Sequence, residues 1–90
     1  MAHAVVLRVK LPGTGDTAEG LQMLNEVVVP QAKSQPGFQR GAWMNNDGNG
    51  LGVVIFDTEE NAQAAKDVLK PPPGGPELVS ADVYEVGAEA

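Results

Sequence analysis

The chain lacks cysteine altogether and has few histidines, aromatic residues and positive charges. Its 90 residues include no Cys, one His, one Trp, one Tyr and two Phe. The absence of cysteine excludes disulfides, iron–sulfur clusters and thiol catalysis. With one imidazole, His3, and no thiolate, the chain also lacks the usual ligand set of a structural zinc site. We therefore expect neither a metal nor an organic cofactor.

Positive charge is scarce, because six Lys and Arg stand against twelve Asp and Glu, a formal net charge of −6. Nucleic-acid phosphates require a basic surface, so we expect no nucleic-acid partner. The amino terminus has no signal-peptide pattern, and no apolar run approaches the roughly 20 residues of a membrane helix. These features predict a cytoplasmic protein without a membrane partner. The length predicts one small domain over 1–90, whose modest core favours dimerisation.

The most informative pattern is the apolar segment 50–56. In an extended strand, its large side chains divide between two faces: Leu51, Val53 and Ile55 on one, Val54 and Phe56 on the other. Both faces should therefore be buried. The rest of the chain has only two helical patterns, enough to cover one side of a sheet. The other side requires a partner, and we expect a second copy of the same chain.

The remaining patterns predict three further strands, at 3–11, 38–45 and 78–86. In the last of these, alternation places Val79, Ala81 and Val83 on one face. A hairpin loop at 46–50 joins the second strand to the two-faced third strand, because its Asp-Gly and Asn-Gly pairs tolerate positive φ.

A first helix follows the break at Pro12–Gly15, with Asp16 or Thr17 as its N-cap. Its apolar positions recur at helical spacing: Leu21, Leu24 and Val28. Pro30 falls inside this pattern and should kink or end the helix, because it lacks an N–H and crowds the preceding turn. A short helical turn through Ala32 is expected beyond it.

A second helix, over 58–70, begins at a capping box formed by Asp57–Glu60. One of its sides carries small or apolar residues that can approach a sheet: Ala62, Ala65 and Leu69. The proline-rich connector Pro71–Pro76 ends it. The order strand–helix–strand–strand–helix–strand predicts an α+β, ferredoxin-like βαββαβ fold with a four-stranded antiparallel sheet. Right-handed crossovers place both helices on the same side of that sheet.

The Pro36–Phe38 entry into the second strand, the hairpin, and Val53–Glu60 before an Ala-rich helix resemble the dimeric α/β-barrel superfamily. Within it, the chain is most similar to small antibiotic-biosynthesis-monooxygenase-like domains of actinobacteria. The resemblance implies two sheets packed face to face in a homodimer, with a small cavity between sheet and helices in each protomer. Members include cofactor-free oxygenases of polyketide-like aromatics, haem-degrading enzymes and proteins without known activity.

The chain departs from the haem-degrading members. Those enzymes use a His on the second helix, an Asn early in the first strand and a Trp in the third strand. Here 58–70 contains no His, the first strand begins with His3 and Ala4, and Trp43 lies on the second strand. The resemblance therefore does not imply haem chemistry. The aromatic-oxidising members gather Asn, Trp, Tyr and Arg in the pocket, without a position-by-position match in this chain.

Trp43, the only Trp, is a candidate platform for a planar ligand. Strict alternation groups it with Gln39, Gly41 and Asn45, and a bulge at Gly41 would change that grouping. The alternative is that Trp43 fills the core or a dimer interface. Asn45 and Tyr84 are further candidates for ligand binding.

Arg8 is a candidate catalytic residue, because its guanidinium can hold an anionic or enolate-like oxygen. The alternative is a cross-strand ion pair with Asp82 or Glu85 on the last strand.

His3 is the other catalytic candidate, as the one side chain whose ordinary pKa suits proton transfer near neutrality. No Ser or Cys accompanies it in a nucleophilic arrangement. Arg40 is expected to be exposed.

The segment Gly13–Ala18 formally matches a dinucleotide-binding fingerprint. The chain is too short for a Rossmann domain, and Asp16 would place negative charge against a pyrophosphate. We interpret these glycines as turn residues.

Two hypotheses about function remain. In the first, the protein is a small homodimeric barrel that binds a modest apolar or aromatic molecule or serves as an interaction unit. In the second, it is a cofactor-independent monooxygenase that acts on an electron-rich, polyketide-like aromatic.

Overall fold

The computed structural model describes residues 1–11, 18–71 and 76–90. Within them, helical segments follow the first and third of four strands, and a π-helical segment separates the first two helices. The elements are β1 (His3–Lys10), α1 (Ala18–Met23), the π segment (Leu24–Val28), α2 (Val29–Lys33), β2 (Phe38–Asn46), β3 (Asn49–Phe56), α3 (Glu59–Val68) and β4 (Glu77–Glu85). The expected turn at 12–15, the N-cap at Asp16 or Thr17, the glycine fingerprint and most of the connector 71–76 lie outside the described residues.

The four strands form one antiparallel sheet in the order β2–β3–β1–β4. β1 runs through the middle, so Val5 lies opposite Val54 on one side and Val83 on the other. The two strands that are consecutive in the chain, β2 and β3, are joined by the hairpin and pair directly. This order confirms the ferredoxin-like α+β fold.

β3 is apolar on both sides, as its sequence predicts. Val54 and Phe56 are fully buried under the helices, whereas Leu51, Val53 and Ile55 are half-buried on the other side. The core lies between the sheet and the helices and comprises Val5, Leu7, Ala32, Val54, Phe56, Ala62, Ala65 and Leu69. We call the side of the sheet that carries this core the helix face, and the side of Leu51, Val53 and Ile55 the open face.

The helical stretch after β1 passes through Pro30 instead of ending there. The N–H of Val29 donates to the carbonyl of Leu24, a π-type bond that skips one residue more than an α-helix does. Widening the turn before Pro30 accommodates a residue that has no N–H and needs more room than an ordinary helix provides. α2 then continues to Lys33 and buries Ala32, as expected for the turn beyond the proline.

The cap of α3 lies one residue later than predicted. Thr58 has extended backbone angles, and its hydroxyl accepts a hydrogen bond from the N–H of Asn61 at 3.2 Å. Asp57 is instead held at the end of β3, where its N–H donates to the carbonyl of Gly37 and its carboxylate accepts from Asn61 Nδ2 at 2.8 Å. The expected box from Asp57 to Glu60 is therefore wrong in register, because Asp57 is already bonded at this corner.

β4 also differs from its predicted alternation. Arg8 pairs with Ser80 while Val9 pairs with Leu78, so the register shifts and Val79 is the extra residue of a bulge. Val79 is 63 % exposed, whereas Ala81 and Val83 pack against the core. The expectation that Val79 shares their face is wrong, because one additional residue reverses the side to which a strand residue points.

The described residues contain no helix whose length and apolar character would let it cross a membrane.

The cap of α3 supplies a first prediction. Replacing Thr58→Ala removes the acceptor for the Asn61 N–H, and we expect the free energy of unfolding to fall by about 1 kcal/mol. Thr58→Ser keeps a hydroxyl at the same position and should retain most of the stability. Urea denaturation of the three proteins measures both values. Equal losses in the Ala and Ser variants would contradict a capping role for this hydroxyl.

Candidate functional site

Trp43 lies on the helix face of β2, directly opposite Gly52 of β3. Its indole spans two glycines: a Cβ added to Gly52 would lie 3.0 Å from Cδ1 and Nε1, and one added to Gly41 would lie 3.2 Å from Cη2. The indole ring can therefore contact the backbone of the sheet directly, because a Cβ at position 41 or 52 would push the ring away from it. Trp43 is half-buried and packs against the core. Its grouping with Gly41 is confirmed, and the register shift of β2 falls near Gln39, between Phe38 and Arg40, instead of at Gly41.

Asn45 follows Trp43 on the same side of β2 and is half-buried. Its Oδ1 accepts a hydrogen bond from the N–H of Gly48 at 3.0 Å. Asp47 and Gly48 both have positive φ, as a tight two-residue hairpin turn requires. Asn45 therefore has a structural role in holding the hairpin, in addition to its place beside Trp43.

Arg8 lies on the open face, where it is exposed and borders a groove of about 580 Å³. Residues of all four strands line this groove, among them Met44, Asn46, Leu51 and Val79. Its floor is apolar, and its polar groups are the guanidinium of Arg8 and carboxamides of the hairpin. The expected ion pair with Asp82 or Glu85 is not formed, because Arg8 lies opposite Ser80 and the ion pairs described involve other residues.

Tyr84 pairs with Ala4 and therefore belongs to the open face with Arg8. Its side chain is 52 % exposed. The alternation that places Trp43 on the helix face thus separates it from Tyr84 and Arg8 by the thickness of the sheet. Asn45, next to the hairpin, nevertheless lines the same groove as Arg8.

His3 lies at the opposite end of the sheet from the hairpin. Its Nδ1 is 3.0 Å from the carbonyl of Met1, and it pairs with Phe56, four residues along β3 from the partner of Trp43. At about 3.3 Å per residue, this offset places His3 about 13 Å from Trp43 along the strands. The five candidate residues therefore do not form one catalytic cluster. Asn45 lies beside Trp43 on β2 and also lines the groove with Arg8, whereas His3 and Tyr84 lie apart from them.

A second groove, of about 400 Å³, lies on the open face beside the edge strand β2. It is lined by Arg40, Gly41, Ala42, Met44, Val53 and Ile55. Arg40 is exposed, as expected, and its Nη2 binds Glu89 Oε1 at 2.8 Å. Sequence reasoning did not single out Met44, although alternation from Trp43 already placed it on the opposite face. The described grooves thus both follow the open side of the sheet.

Comparison with known proteins gives a likeness in fold alone. The sequence matches no protein-family model and no curated protein. Among solved structures, the chain is similar to a variant of SnoaB, a cofactor-independent oxygenase from Streptomyces nogalater. The TM-score is 0.66 at 9 % sequence identity, and the match covers 98 % of this chain and 95 % of that chain.

The contact between Trp43 and Gly52 generates a second prediction. Gly52→Ala introduces a Cβ against the indole, and we expect the free energy of unfolding to fall by about 1–3 kcal/mol through overpacking. The emission of Trp43 should shift to the red as the ring is lifted from the sheet. Denaturation and fluorescence spectra measure the two effects.

Gly87→Ala is the matched control, because nothing lies within 4 Å of a Cβ at Gly87. Its stability should stay within about 0.5 kcal/mol of the unmodified protein. A Gly52→Ala variant as stable as this control, with unchanged emission, would contradict the close approach of Trp43 to the sheet.

Proposed function

We propose that the protein is a homodimer, closed through its open faces, that binds one small planar apolar or aromatic molecule per protomer against Trp43. The observation that carries the binding proposal is the position of the indole across Gly41 and Gly52. The fold, shared with a cofactor-independent oxygenase over nearly the whole chain, supports the same assignment.

The open face supports self-association. All described helices that contribute to the core pack on the other side of the sheet. The open face consequently presents half-buried Val53 and Ile55, together with Met44 at 48 % exposure and Tyr84 at 52 %. Apolar surface of this kind is stabilised by a partner, and two copies of one sheet can pack about 10 Å apart with their side chains interleaved.

The helix face supports ligand binding. α2 packs on β2, whereas the π segment before it buries none of its residues, and Leu21 of α1 is 49 % exposed. The first helical stretch therefore covers the sheet loosely, and Trp43 stays half-buried. A half-buried indole resting on glycines offers a rigid surface on which a second planar ring can stack.

Cofactor-independent oxygenation is the second candidate function, and the likeness to SnoaB favours it. In such a reaction a base removes a proton from an electron-rich aromatic, and the resulting carbanion reacts with oxygen. The base and a donor to the developing oxyanion must both lie at the substrate. His3 lies at the far end of the sheet from Trp43, and Arg8 lies on the opposite face. Ligand binding without catalysis is therefore the first proposal.

The dimer yields a third prediction. Val53→Asp places a carboxylate in the middle of the open face, and we expect self-association to weaken roughly 100-fold or more, since a buried unpaired charge is costly. Val27→Asp is the control, because Val27 is 56 % exposed on the π segment, away from the sheet's open side. Sedimentation velocity measures both. A monomeric unmodified protein at micromolar concentration would contradict the dimer.

Ligand binding yields a fourth prediction, tested with phenols and quinones such as 1,4-naphthoquinone. Because Trp43 is the only Trp, its fluorescence reports on this location alone. We expect saturable quenching and a higher melting temperature, since a ligand that binds only the folded state stabilises it by about 2.7 kcal/mol at 100 times its Kd. Free N-acetyltryptophanamide should show only linear, collisional quenching.

Variants at neighbouring positions of β2 identify the face that binds. Trp43→Leu should abolish the thermal shift, whereas Met44→Leu, on the opposite face, should preserve both the shift and the quenching. Absence of saturable quenching and of a thermal shift with every phenol and quinone would contradict the binding proposal. Oxygen uptake with the same compounds, compared with heat-denatured protein, distinguishes the oxygenase from a binding protein.

A further inference from the structure

Two opposite charges on the open face, those of Arg8 and Asp82, have no partner among the residues that the structure describes. Arg8 and Asp82 are both exposed, and neither makes an ion pair or side-chain hydrogen bond within the described part of the chain. Arg40, by contrast, is bound to Glu89 at 2.8 Å. Of these two arginines on the open face, Arg40 is therefore ion-paired within the chain, and Arg8 has no acidic partner among the described residues.

The register places Arg8 on the inner strand β1 and Asp82 midway along the adjacent edge strand β4. Asp82 lies opposite Val6, two residues before Arg8 on β1, so both side chains project from the open face on adjacent strands. Arg8 borders the groove with Leu51 and Met44, a groove that Asp82 does not line. Lys10 and Glu77 also face this side, but they lie opposite each other in the strand register at the end of the strands, where water can solvate them.

An apolar interface cannot cover these charges without pairing them. Removing a charge from water is unfavourable unless an opposite charge and hydrogen bonds replace the solvent. In a twofold dimer, every contact between two different positions occurs twice. If the first position of one protomer touches the second position of its partner, the second position of that protomer also touches the first position of the partner. One basic and one acidic position per chain can thus give two complete ion pairs.

We propose that Arg8 of each protomer pairs with Asp82 of the partner subunit, and that these two reciprocal pairs set the orientation of the dimer. This inference rests on the dimer proposed above. The guanidinium supplies a planar pair of N–H donors to the carboxylate, which fixes direction as well as attraction. A related sheet with a different charge pattern would place like charges or an unpaired charge against this face, so the pairs also make the chain selective for its own copy.

Charge reversal with mixing tests whether the pairs connect two chains. Arg8→Glu alone opposes Glu to Asp82, and Asp82→Lys alone opposes Lys to Arg8, so each homodimer should dissociate roughly 100-fold more readily. Mixed together, the two variants restore both pairs in a heterodimer. We expect native mass spectrometry of differently tagged chains to show mainly heterodimer, with an affinity within about tenfold of the unmodified dimer.

The pair Arg40 and Glu89 provides the matched control, because the structure joins them within one chain. Arg40→Glu and Glu89→Lys should show no preference for the mixed heterodimer. An ion pair between Arg8 and Asp82 of the same chain would give this same result, since mixing cannot repair a contact inside one chain. A dimer without heterodimer preference would therefore overturn the pairing and leave the dimer standing, whereas a monomeric unmodified protein would overturn both.

A cysteine experiment keeps the proposal testable should charge reversal prevent folding. The chain has no cysteine, so Arg8→Cys and Asp82→Cys chains carry one thiol each. Mixed under mild oxidation, they should form a disulfide-linked heterodimer on a non-reducing gel. Arg40→Cys mixed with Asp82→Cys is the control for random cross-linking. A heterodimer band no stronger than this control would overturn the pairing.

Discussion

The rest of the structure depends on the burial of β3, a strand with large apolar side chains on both sides. α2 and α3 cover Val54 and Phe56, and the alanines of both helices are small enough to let them approach the sheet closely. On the same face, Gly52 of β3 and Gly41 of β2, opposite Val54, leave the room that Trp43 occupies. β3 thus determines three features of the molecule: the core, the position of the Trp43 indole and, through Val53 and Ile55, the surface that no described helix covers.

Local patterns predict the fold well because they depend on few residues. Alternation is enough to predict that β3 has two apolar faces, and the spacing of Ala62, Ala65 and Leu69 is enough to predict the buried side of α3. The predictions are wrong where a contact between residues far apart in the sequence determines the local structure. Asp57 and Thr58 are both suitable N-caps, and Asp57 is already bonded to Gly37. Val79 belongs to a bulge that exists only in its pairing with β1.

The candidate site shows the same limit. Trp43, Arg8, Tyr84 and His3 were selected by chemical type, and each lies where strand alternation places it. Alternation alone cannot tell which side of the sheet the helices will cover, because that depends on the handedness of both crossovers. The sheet consequently separates Trp43 from Arg8, and the end-to-end offset separates it from His3. A sequence can therefore supply the right residue types for a catalytic pocket without bringing them together.

This separation is compatible with independent roles for the two faces. In the function proposed above, a ligand stacked on Trp43 would contact the helix face, whereas self-association would use the side chains that alternate with it, such as Met44 and Val53. Changes on one face would reach the other only through the backbone that both share. Arg8, which has no partner among the described residues, fits this division, because covering a charge with an apolar surface is unfavourable unless a complementary charge meets it. Its isolation within one chain thus supports a surface shaped for a second chain more than it supports a catalytic role.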